Sequence, residues 1–144
     1  MELKIKKMRD NAIIPTRGDS EAAAIDLYAC MDDSVTILPG RTAWIPSGIA
    51  CDFPNGYFGL VLPRSSVGAK RRLTLSNTAG VIDHSFNGEI MMVFQNDGDV
   101  YQTIHPGERL AQMILLPYVT YNIVETDSLT ETERGEGGFG STGL

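Results

Sequence analysis

Apolar residues come in short β-type runs along most of the chain, and polar positions with Gly, Pro, Asn or Asp repeatedly interrupt them. Many such strand-like runs at spacings of about 8–12 residues are typical of an all-β barrel or sandwich. No long segment keeps the period of about 3.6 residues that an amphipathic helix requires. We predict strands at residues 3–6, 24–29, 35–38, 42–50, 57–62, 73–76, 90–94, 101–104, 109–116 and 121–124.

Two dipeptides and one short segment predict how these strands are connected. Asn87-Gly88 separates the strand-like residues 81–86 from 89–94, and such a pair favours a tight hairpin because both turn residues need a positive φ. Pro39-Gly40 predicts a simple connection between two other strands. At most one helical turn is predicted, at residues 65–69 after Arg64.

The chain changes character near its C-terminal end. From Glu125 onward it is polar, and from Arg134 its sequence is RGEGGFGSTGL. This segment has too few apolar residues to form a core of its own. We therefore expect a domain at residues 1–124 followed by a flexible glycine-rich arm at residues 125–144, which becomes ordered on a ligand or a neighbouring subunit.

Composition and charge exclude several classes of protein. The 144 residues are 42% hydrophobic and 21% charged, and the longest apolar runs are too short to cross a membrane. A net charge of −6 argues against a protein that binds nucleic acid by neutralising many phosphates. The N-terminal MELKIKKMRD has no apolar block typical of a signal peptide, so a cytoplasmic location is expected.

Two further features are given structural interpretations. Cys30 and Cys51 have no metal-ligand spacing, and free buried thiols are favoured over a disulfide for this pair. The dense basic run Lys70-Arg71-Arg72 is interpreted as a solvated turn.

The glycine-rich arm is the first candidate for chemistry. Its glycines allow close approach of the backbone to a ligand, and Arg134 carries a planar guanidinium suited to phosphate. Ser141 and Thr142 add hydroxyl donors, and Phe139 can stack on a planar base. Composition alone leaves open the alternative that the arm is a disordered tail.

Three segments within the predicted domain carry the other candidates. In PRSS, Arg64 with Ser65 and Ser66 can hold phosphate oxygens, although surface Arg-Ser pairs are common. Asp83, on the predicted hairpin, can accept a proton from water; its alternative is a surface carboxylate beside a turn. Asp26 interrupts an apolar strand, so it needs a partner, either an arginine in a structural ion pair or a metal-bound water.

A last polar pattern lies in GERLAQ, where Arg109 and Gln112 are interleaved with apolar residues at a strand start. From the pattern alone, structural pairing accounts for both. His84 and His105 show no metal-ligand spacing with each other, and no zinc-like cluster is evident.

Taken in order, the segments AAIDL, PRSS, NTAGVIDHSFNG, GERLAQ and RGEGGFGST resemble the five motifs of the trimeric dUTP pyrophosphatase family. The similarity runs from about residue 3 to residue 142. The resemblance implies a jelly-roll-like β-barrel that assembles as a homotrimer, with active sites shared among subunits. It also implies Mg²⁺-assisted hydrolysis of dUTP to dUMP and pyrophosphate, which keeps uracil out of DNA and supplies dUMP for thymidylate synthesis.

The resemblance also implies roles for individual residues. Asp83 would activate the water that attacks the α-phosphorus, and Asp26 would hold Mg²⁺ indirectly through water. Arg109 would support the site, and Phe86 would pack on the deoxyribose. The triphosphate would be bound by Arg64, Ser65, Ser66, Gln112, Arg134, Gly140, Ser141 and Thr142, and uracil by Asn77, Gly80, Val81, Ile82 and Met91, with Phe139 stacked over it.

Two residues depart from the pattern of the family that the chain resembles. Ser66 stands where many members carry Gly, and its backbone N–H is still expected to be available. Phe86 stands where most members carry Tyr; the ring that blocks a ribose 2′-hydroxyl is kept, and only a secondary hydrogen bond is lost.

Three other functions remain as alternatives to dUTP hydrolysis. The related dCTP deaminases need a glutamate that falls on Val93 here, and Val cannot transfer protons. A binding or regulatory protein on the same scaffold would be expected to lose Asp83 or the arm. A purely structural β-barrel would leave the glycine-rich arm without a purpose.

Overall fold

The computed structural model of the protein describes residues 1–138, and the described chain is almost entirely β-structure. Its one helical element is a single turn at Ser66–Lys70. The predicted all-β class is confirmed, and the strand arrangement fits a jelly-roll-like fold. The strands are β1 (Lys4–Lys7), β2 (Thr16–Arg17), β3 (Ala24–Tyr28), β4 (Val35–Ile37), β5 (Thr42–Pro46), β6 (Ile49–Asp52), β7 (Tyr57–Pro63), β8 (Leu73–Leu75), β9 (Gly80–Ile82), β10 (Met91–Asn96), β11 (Gln102–Ile104) and β12 (Arg109–Pro117).

The strands form four antiparallel sheets. The largest has the order β2-β3-β12-β7-β9, and a three-stranded sheet has the order β5-β10-β8. Two pairs, β1-β6 and β11-β4, complete the structure. The long strand β12 lies at the centre of the largest sheet, paired with β3 on one side and β7 on the other, and its residues Leu110, Ala111 and Met113 are buried.

The core lies between the sheets and consists of aliphatic and aromatic side chains that alternate with exposed ones. Leu27, Phe94 and Leu110 are fully buried, and Phe53 and Met113 are nearly so. Each such side chain removed from water stabilises the fold by about 1.5–3 kcal/mol. Along β10 every second side chain is buried, as expected for a strand with one face on the core.

Most predicted strands are found close to their predicted bounds, but the prediction at residues 42–50 merges two strands. The break falls at Ser47-Gly48, where Gly48 has a φ of +74°. A Cβ at Gly48 would lie 2.5 Å from Sγ of Cys30, so packing and backbone conformation both require glycine here. The two-residue β2 was not predicted, since its apolar content is too low to mark it.

The predicted hairpin around Asn87-Gly88 is wrong. β9 pairs with β7, whereas β10 pairs with β5 and β8, so the two arms belong to different sheets. Neither Asn87 nor Gly88 has a positive φ among the described residues. The chain turns earlier, where the Phe86 N–H donates to the Asp83 carbonyl at 3.0 Å. Pairing with the larger sheets has overridden the local preference of the Asn-Gly pair.

Other local predictions fare differently. Pro39-Gly40 forms the predicted connection, with a φ of +70° at Gly40, and the helical turn lies within one residue of its predicted place. Arg71 is not solvated as predicted: it is half-buried, paired with Glu108, and donates to the Thr103 carbonyl at 2.8 Å.

Beyond β12 the described chain forms no strand, so the strand predicted at residues 121–124 is wrong. Tyr121, Ile123 and Val124 are largely exposed. A strand needs a neighbour to satisfy its backbone groups, and within residues 1–138 this segment has none.

Cys30 and Cys51 are free and buried, as predicted. Burial raises the pKa of Cys51 to about 11 and also raises that of Cys30. No helix of the described chain is long and apolar enough to cross a membrane.

Candidate functional site

Asp26 is held between two arginines in the largest sheet. Its Oδ1 lies 3.0 Å from Nε of Arg64, and its Oδ2 accepts a hydrogen bond from Nη1 of Arg109 at 3.1 Å. The carboxylate is buried, while the Arg109 side chain is about half exposed. The partner that the sequence required for this buried charge is therefore a pair of arginines.

The register of three strands brings these side chains together. Gln112 on β12 lies opposite Asp26 on β3 and opposite Leu62 on β7, so all three share one face of the sheet. Arg64 directly follows β7, two residues beyond Leu62, and can therefore reach the same face.

A β-bulge in β12 places Arg109 on that face as well. Arg109 pairs with Tyr28, but Ala111 pairs with Leu27, so Leu110 is the extra residue on β12. Without the bulge, the odd spacing between Arg109 and Gln112 would put their side chains on opposite faces. The bulge thus aligns the arginine with the carboxylate.

Gln112, Ser65 and Ser66 are the neutral polar residues near Asp26 and its two arginines. Nε2 of Gln112 donates to the Pro63 carbonyl at 3.3 Å, which ties β12 to the end of β7. Ser65 and Ser66 are exposed at the start of the helical turn, which is closed by the Gly68 N–H donating to the Arg64 carbonyl at 3.0 Å. Both serines are thus accessible to a ligand, and they follow Arg64 directly in the chain.

The charge of this cluster is opposite in sign to the net charge of the chain. Two guanidinium groups and one carboxylate leave a local positive charge, although the chain carries −6 overall. Each guanidinium has five donors, so one contact to Asp26 does not saturate it. We will call Asp26, Arg64, Arg109 and Gln112 the arginine cluster; its chemistry suits an anion such as a phosphate.

Asp83 lies away from the arginine cluster, in a different part of the largest sheet. It is exposed at the end of β9, beside a groove of about 630 Å³ that Phe58 and Tyr118 help to line. The adjacent His84 fixes the turn, since its Nδ1 lies 2.7 Å from the Phe53 carbonyl. The carboxylate is thus presented to solvent from a braced turn.

The other residues predicted around the base and sugar extend from this turn. Gly80, Val81 and Ile82 form β9, the edge strand of the largest sheet. Asn77 is exposed in a tight turn in which Thr78 has a φ of +66°. The carbonyl of Asn77 accepts a hydrogen bond from the Ala79 N–H at 2.7 Å. Phe86 and Met91 are partly exposed, at 44% and 36%.

Asp83 and the arginine cluster do not meet within one chain. Ile82 lies opposite Gly59, so Asp83 comes level with Phe58 at the start of β7. Arg64 lies beyond the other end of the same strand. Residues 58 to 64 span roughly 20 Å of extended chain, which is too far for both groups to contact one phosphate.

Of the arm residues that were predicted to contact the substrate, only Arg134 falls within the described chain. Its hydrogen bonds are local: Nε donates to the Gly137 carbonyl at 2.8 Å. The predictions for Phe139, Gly140, Ser141 and Thr142 lie outside the described residues.

Several residues at these places were not predicted from sequence. Phe58 and Tyr118 pack edge to face, with ring centroids 6.5 Å apart, beside the groove next to Asp83. Their clustering follows from the pairing of β7 with β12. Glu89 receives a bidentate contact from Arg9, at 2.8 and 3.0 Å. Because Arg9 and Glu89 are eighty positions apart in the sequence, no local pattern could have indicated this pair.

Comparison with known proteins covers nearly the whole chain. The family model described as dUTPase matches residues 10–143. The deoxyuridine 5'-triphosphate nucleotidohydrolase of Hydrogenobaculum sp. is 40% identical over 144 residues, covering 100% of this chain and 99% of the relative. The protein of the same name from Burkholderia cenocepacia is also 40% identical over 144 residues, covering 99% and 97%.

Solved structures agree with the sequence comparison. The dUTPase of Staphylococcus bacteriophage 80alpha, solved with dUpNHpp, superposes with a TM-score of 0.90 at 27% identity and covers 99% of each chain.

Proposed function

The chain belongs to the dUTPase family, and we propose that it is a dUTP diphosphatase that hydrolyses dUTP to dUMP and pyrophosphate. The observation that carries the proposal is the arginine cluster. It has a local positive charge suited to an anion, although the whole chain carries a net charge of −6. In a cell this activity keeps uracil out of DNA and supplies dUMP for thymidylate synthesis. The free buried thiols Cys30 and Cys51 support a cytoplasmic, reducing location.

The arginine cluster binds the triphosphate in this proposal. Arg64 and Arg109 are oriented by the buried carboxylate of Asp26, so little side-chain entropy is lost when phosphate oxygens replace water. Gln112 adds a neutral donor on the same face, and Ser65 and Ser66 add hydroxyl and backbone donors from the helical turn. Asp26 thereby acts on the phosphates through its two arginines.

Magnesium is part of the proposal in a limited form. Within residues 1–138, no three His, Cys, Asp or Glu side chains are close enough together to bind a metal ion. Oδ2 of Asp26 accepts a hydrogen bond from Arg109 and Oδ1 lies 3.0 Å from Nε of Arg64, and each oxygen retains a lone pair for a water. These donors fit an ion carried by the triphosphate and contacted by Asp26 through water. The bound ion would neutralise charge on the phosphates.

Asp83 is the proposed general base. Its carboxylate accepts a proton from a water molecule as the water oxygen bonds to the α-phosphorus, and pyrophosphate leaves as that phosphorus loses its bond to the bridging oxygen. A carboxylate is a weak base at neutral pH, so accurate positioning of the water must supply much of the effect. The turn braced by His84 provides a fixed support for this carboxylate.

The separation of the two places supports an assembly with shared sites, which we propose is a homotrimer. Asp83 of one chain cannot reach the phosphates held by Arg64 of the same chain, roughly 20 Å of strand away. A neighbouring copy must then supply the second half of each site. Three copies around one axis give three equivalent shared sites, and this closed arrangement needs no further partner.

Uracil is proposed to bind along β9. This edge strand pairs only with β7 in the described chain, so the backbone groups on its outer side are free to bind the edge of a base. Gly80, Val81 and Ile82 supply them, with Asn77 and Met91 beside the base. A close fit leaves no space for the methyl group of thymine, and mismatched donors would exclude cytosine.

The arm closes the site in the proposal. Arg134 with Gly140, Ser141 and Thr142 would hold the outer phosphates, and Phe139 would stack on uracil. Phe86 would lie against the deoxyribose and block a 2′-hydroxyl. Residues 125–144 form this arm, and residues 1–124 form the domain from which it extends to a neighbouring subunit.

Product analysis tests the proposal. The full chain is incubated with Mg²⁺ and separately with dUTP, dCTP, dTTP or UTP, and products are separated by ion exchange. We expect dUMP and pyrophosphate from dUTP alone, and no turnover by Asp83→Asn. Uridine nucleotides formed from dCTP would indicate a deaminase despite Val93, and no turnover of any nucleotide would indicate a binding protein.

A further inference from the structure

Gly88 allows the ring of Phe86 to lie directly on the backbone. A Cβ added at residue 88 would lie 2.6 Å from Cζ of Phe86, 3.0 Å from Cε2 and 3.3 Å from Cε1. Carbon atoms in favourable contact are about 3.5–4.0 Å apart. The present position of the ring is therefore compatible only with a residue that lacks a side chain.

The backbone beside Gly88 is firmly held. Glu89 accepts two hydrogen bonds from Arg9, at 2.8 and 3.0 Å, and a third from the Gly48 N–H at 2.9 Å. The next residue, Ile90, is fully buried and exchanges backbone hydrogen bonds with Ser47 and Ile49. Moving the chain at residue 88 would break several of these contacts together.

The Phe86 ring is the part that can move. Its side chain is 44% exposed, and it follows the turn at Asp83 rather than a paired strand. A methyl group at residue 88 would therefore displace the ring towards solvent and leave the backbone in place. The added methyl group would therefore change the contacts that the ring makes with a ligand, and it would leave the stability of the fold largely unchanged.

We propose that Gly88 is a positioning residue that sets the place of the Phe86 ring, and through it the selection of deoxyribose over ribose. The inference rests on the proposed function, in which Phe86 lies against the sugar. A displaced ring would open space for a 2′-hydroxyl, so UTP would become a better substrate while the chemistry at phosphorus is unchanged.

The test compares kcat/KM for dUTP with kcat/KM for UTP in the full chain with Mg²⁺. We expect Gly88→Ala to lower this ratio at least about tenfold, mainly through a better KM for UTP. The matched control is Gly18→Ala, because a Cβ at Gly18 would meet nothing within 4 Å and its φ is not left-handed. The control should keep the wild-type ratio, and both variants should keep a melting temperature close to that of the wild type.

A double-mutant cycle with Phe86→Ala assigns the effect to the ring. Once the ring is gone, adding Gly88→Ala should change the ratio by less than about twofold. An equal loss with and without the ring would overturn the proposal, because the change would then act through the backbone. An unfolded Gly88→Ala protein would also overturn it, since the ring is expected to yield.

The same cycle separates this inference from the proposed function. If Phe86→Ala lowers the ratio but Gly88→Ala does not, only the role of Gly88 fails. If Phe86→Ala leaves the ratio unchanged in a protein that still hydrolyses dUTP, the role of Phe86 fails and the inference falls with it. Absence of dUTP turnover in the wild type would refute the proposed function itself.

Discussion

Asp83 and Arg64 lie at opposite ends of the same strand, one level with the start of β7 and the other directly beyond its end. Neither can move closer without breaking the pairing of β9 with β7. Within one chain, the proposed phosphate site and the proposed general base are therefore too far apart to contact the same phosphate. Because the site that we propose is shared between subunits, this separation leads to a testable prediction.

Subunit mixing should restore activity between two inactive variants. Asp83→Ala and Arg64→Ala are each expected to lose turnover, because one lacks the proposed base and the other a proposed phosphate contact. When they are unfolded together and refolded at equal concentrations, random assembly leaves about a quarter of shared sites with both residues intact. Activity close to that fraction of the wild type should return, measured as pyrophosphate release.

Each variant refolded alone serves as the control and should stay inactive. Mass spectrometry of intact oligomers would establish that mixed species have formed. Mixed oligomers without activity would show that Asp83 and Arg64 must belong to one chain, which contradicts the shared site.

Asp26→Asn should destabilise the fold and weaken substrate binding together. Asn keeps the shape of the side chain but leaves Arg64 and Arg109 without their carboxylate. Removing one member of a largely buried ion pair costs about 3 kcal/mol in unfolding free energy. Guanidinium denaturation measures this loss, and KM for dUTP should rise because the arginines are no longer oriented.

Asp52→Asn is the matched control for that variant. Asp52 pairs with Lys4 at 3.5 Å, and both side chains are mostly exposed. The loss should therefore stay within about 0.5 kcal/mol. Equal effects of the two substitutions would show that the arginine cluster contributes no more than a surface ion pair.

The two thiols should be unreactive in the native protein. Burial raises the pKa of Cys51 from its usual 9.0 to about 11, and burial also raises the pKa of Cys30. Since the thiolate is the reactive form, Ellman's reagent at pH 8 should find no fast thiol before unfolding and two after it. A fast-reacting thiol in the folded protein would contradict the buried placement.

The shift of the Cys51 pKa also predicts a pH dependence of stability. The folded-state pKa lies above the usual value, so this contribution is fully present below pH 9.0 and is lost as the pH rises through about 11. The unfolding free energy of the wild type should therefore fall more steeply over this window than that of Cys51→Ala. Parallel curves would show that Cys51 titrates alike in both states.

The fold could be predicted from sequence where the pattern of buried residues decides the structure. β10 and β12 were found because each contains a strand-length apolar run, and the break at Gly48 was missed because its cause lies in contacts with Cys30, eighteen residues away. The Asn-Gly hairpin failed because a turn preference of local origin competes with whole strands that pair elsewhere.

The chemistry of the site was predicted only in part, for a related reason. Asp26 could be singled out because a charge in an apolar strand needs a partner, but the bulge at Leu110 that aligns Arg109 has no signature in the sequence. The separation of Asp83 from Arg64 depends on the register of β9 on β7, which no local pattern specifies.

Removing residues 134–144 should abolish most turnover without unfolding the protein. Among the described residues, Arg134 and Gly135 hydrogen-bond to Gly137 and Thr132, which also belong to the arm, so these bonds do not tie the arm to the core. Loss of the proposed clamp on the outer phosphates should lower kcat/KM by about a hundredfold or more, because positioning supplies much of the rate. The control removes only residues 143–144, beyond Ser141 and Thr142, and should keep full activity. Equal turnover by the shorter chain and the wild type, with matching circular dichroism and melting temperature, would exclude the arm from the site.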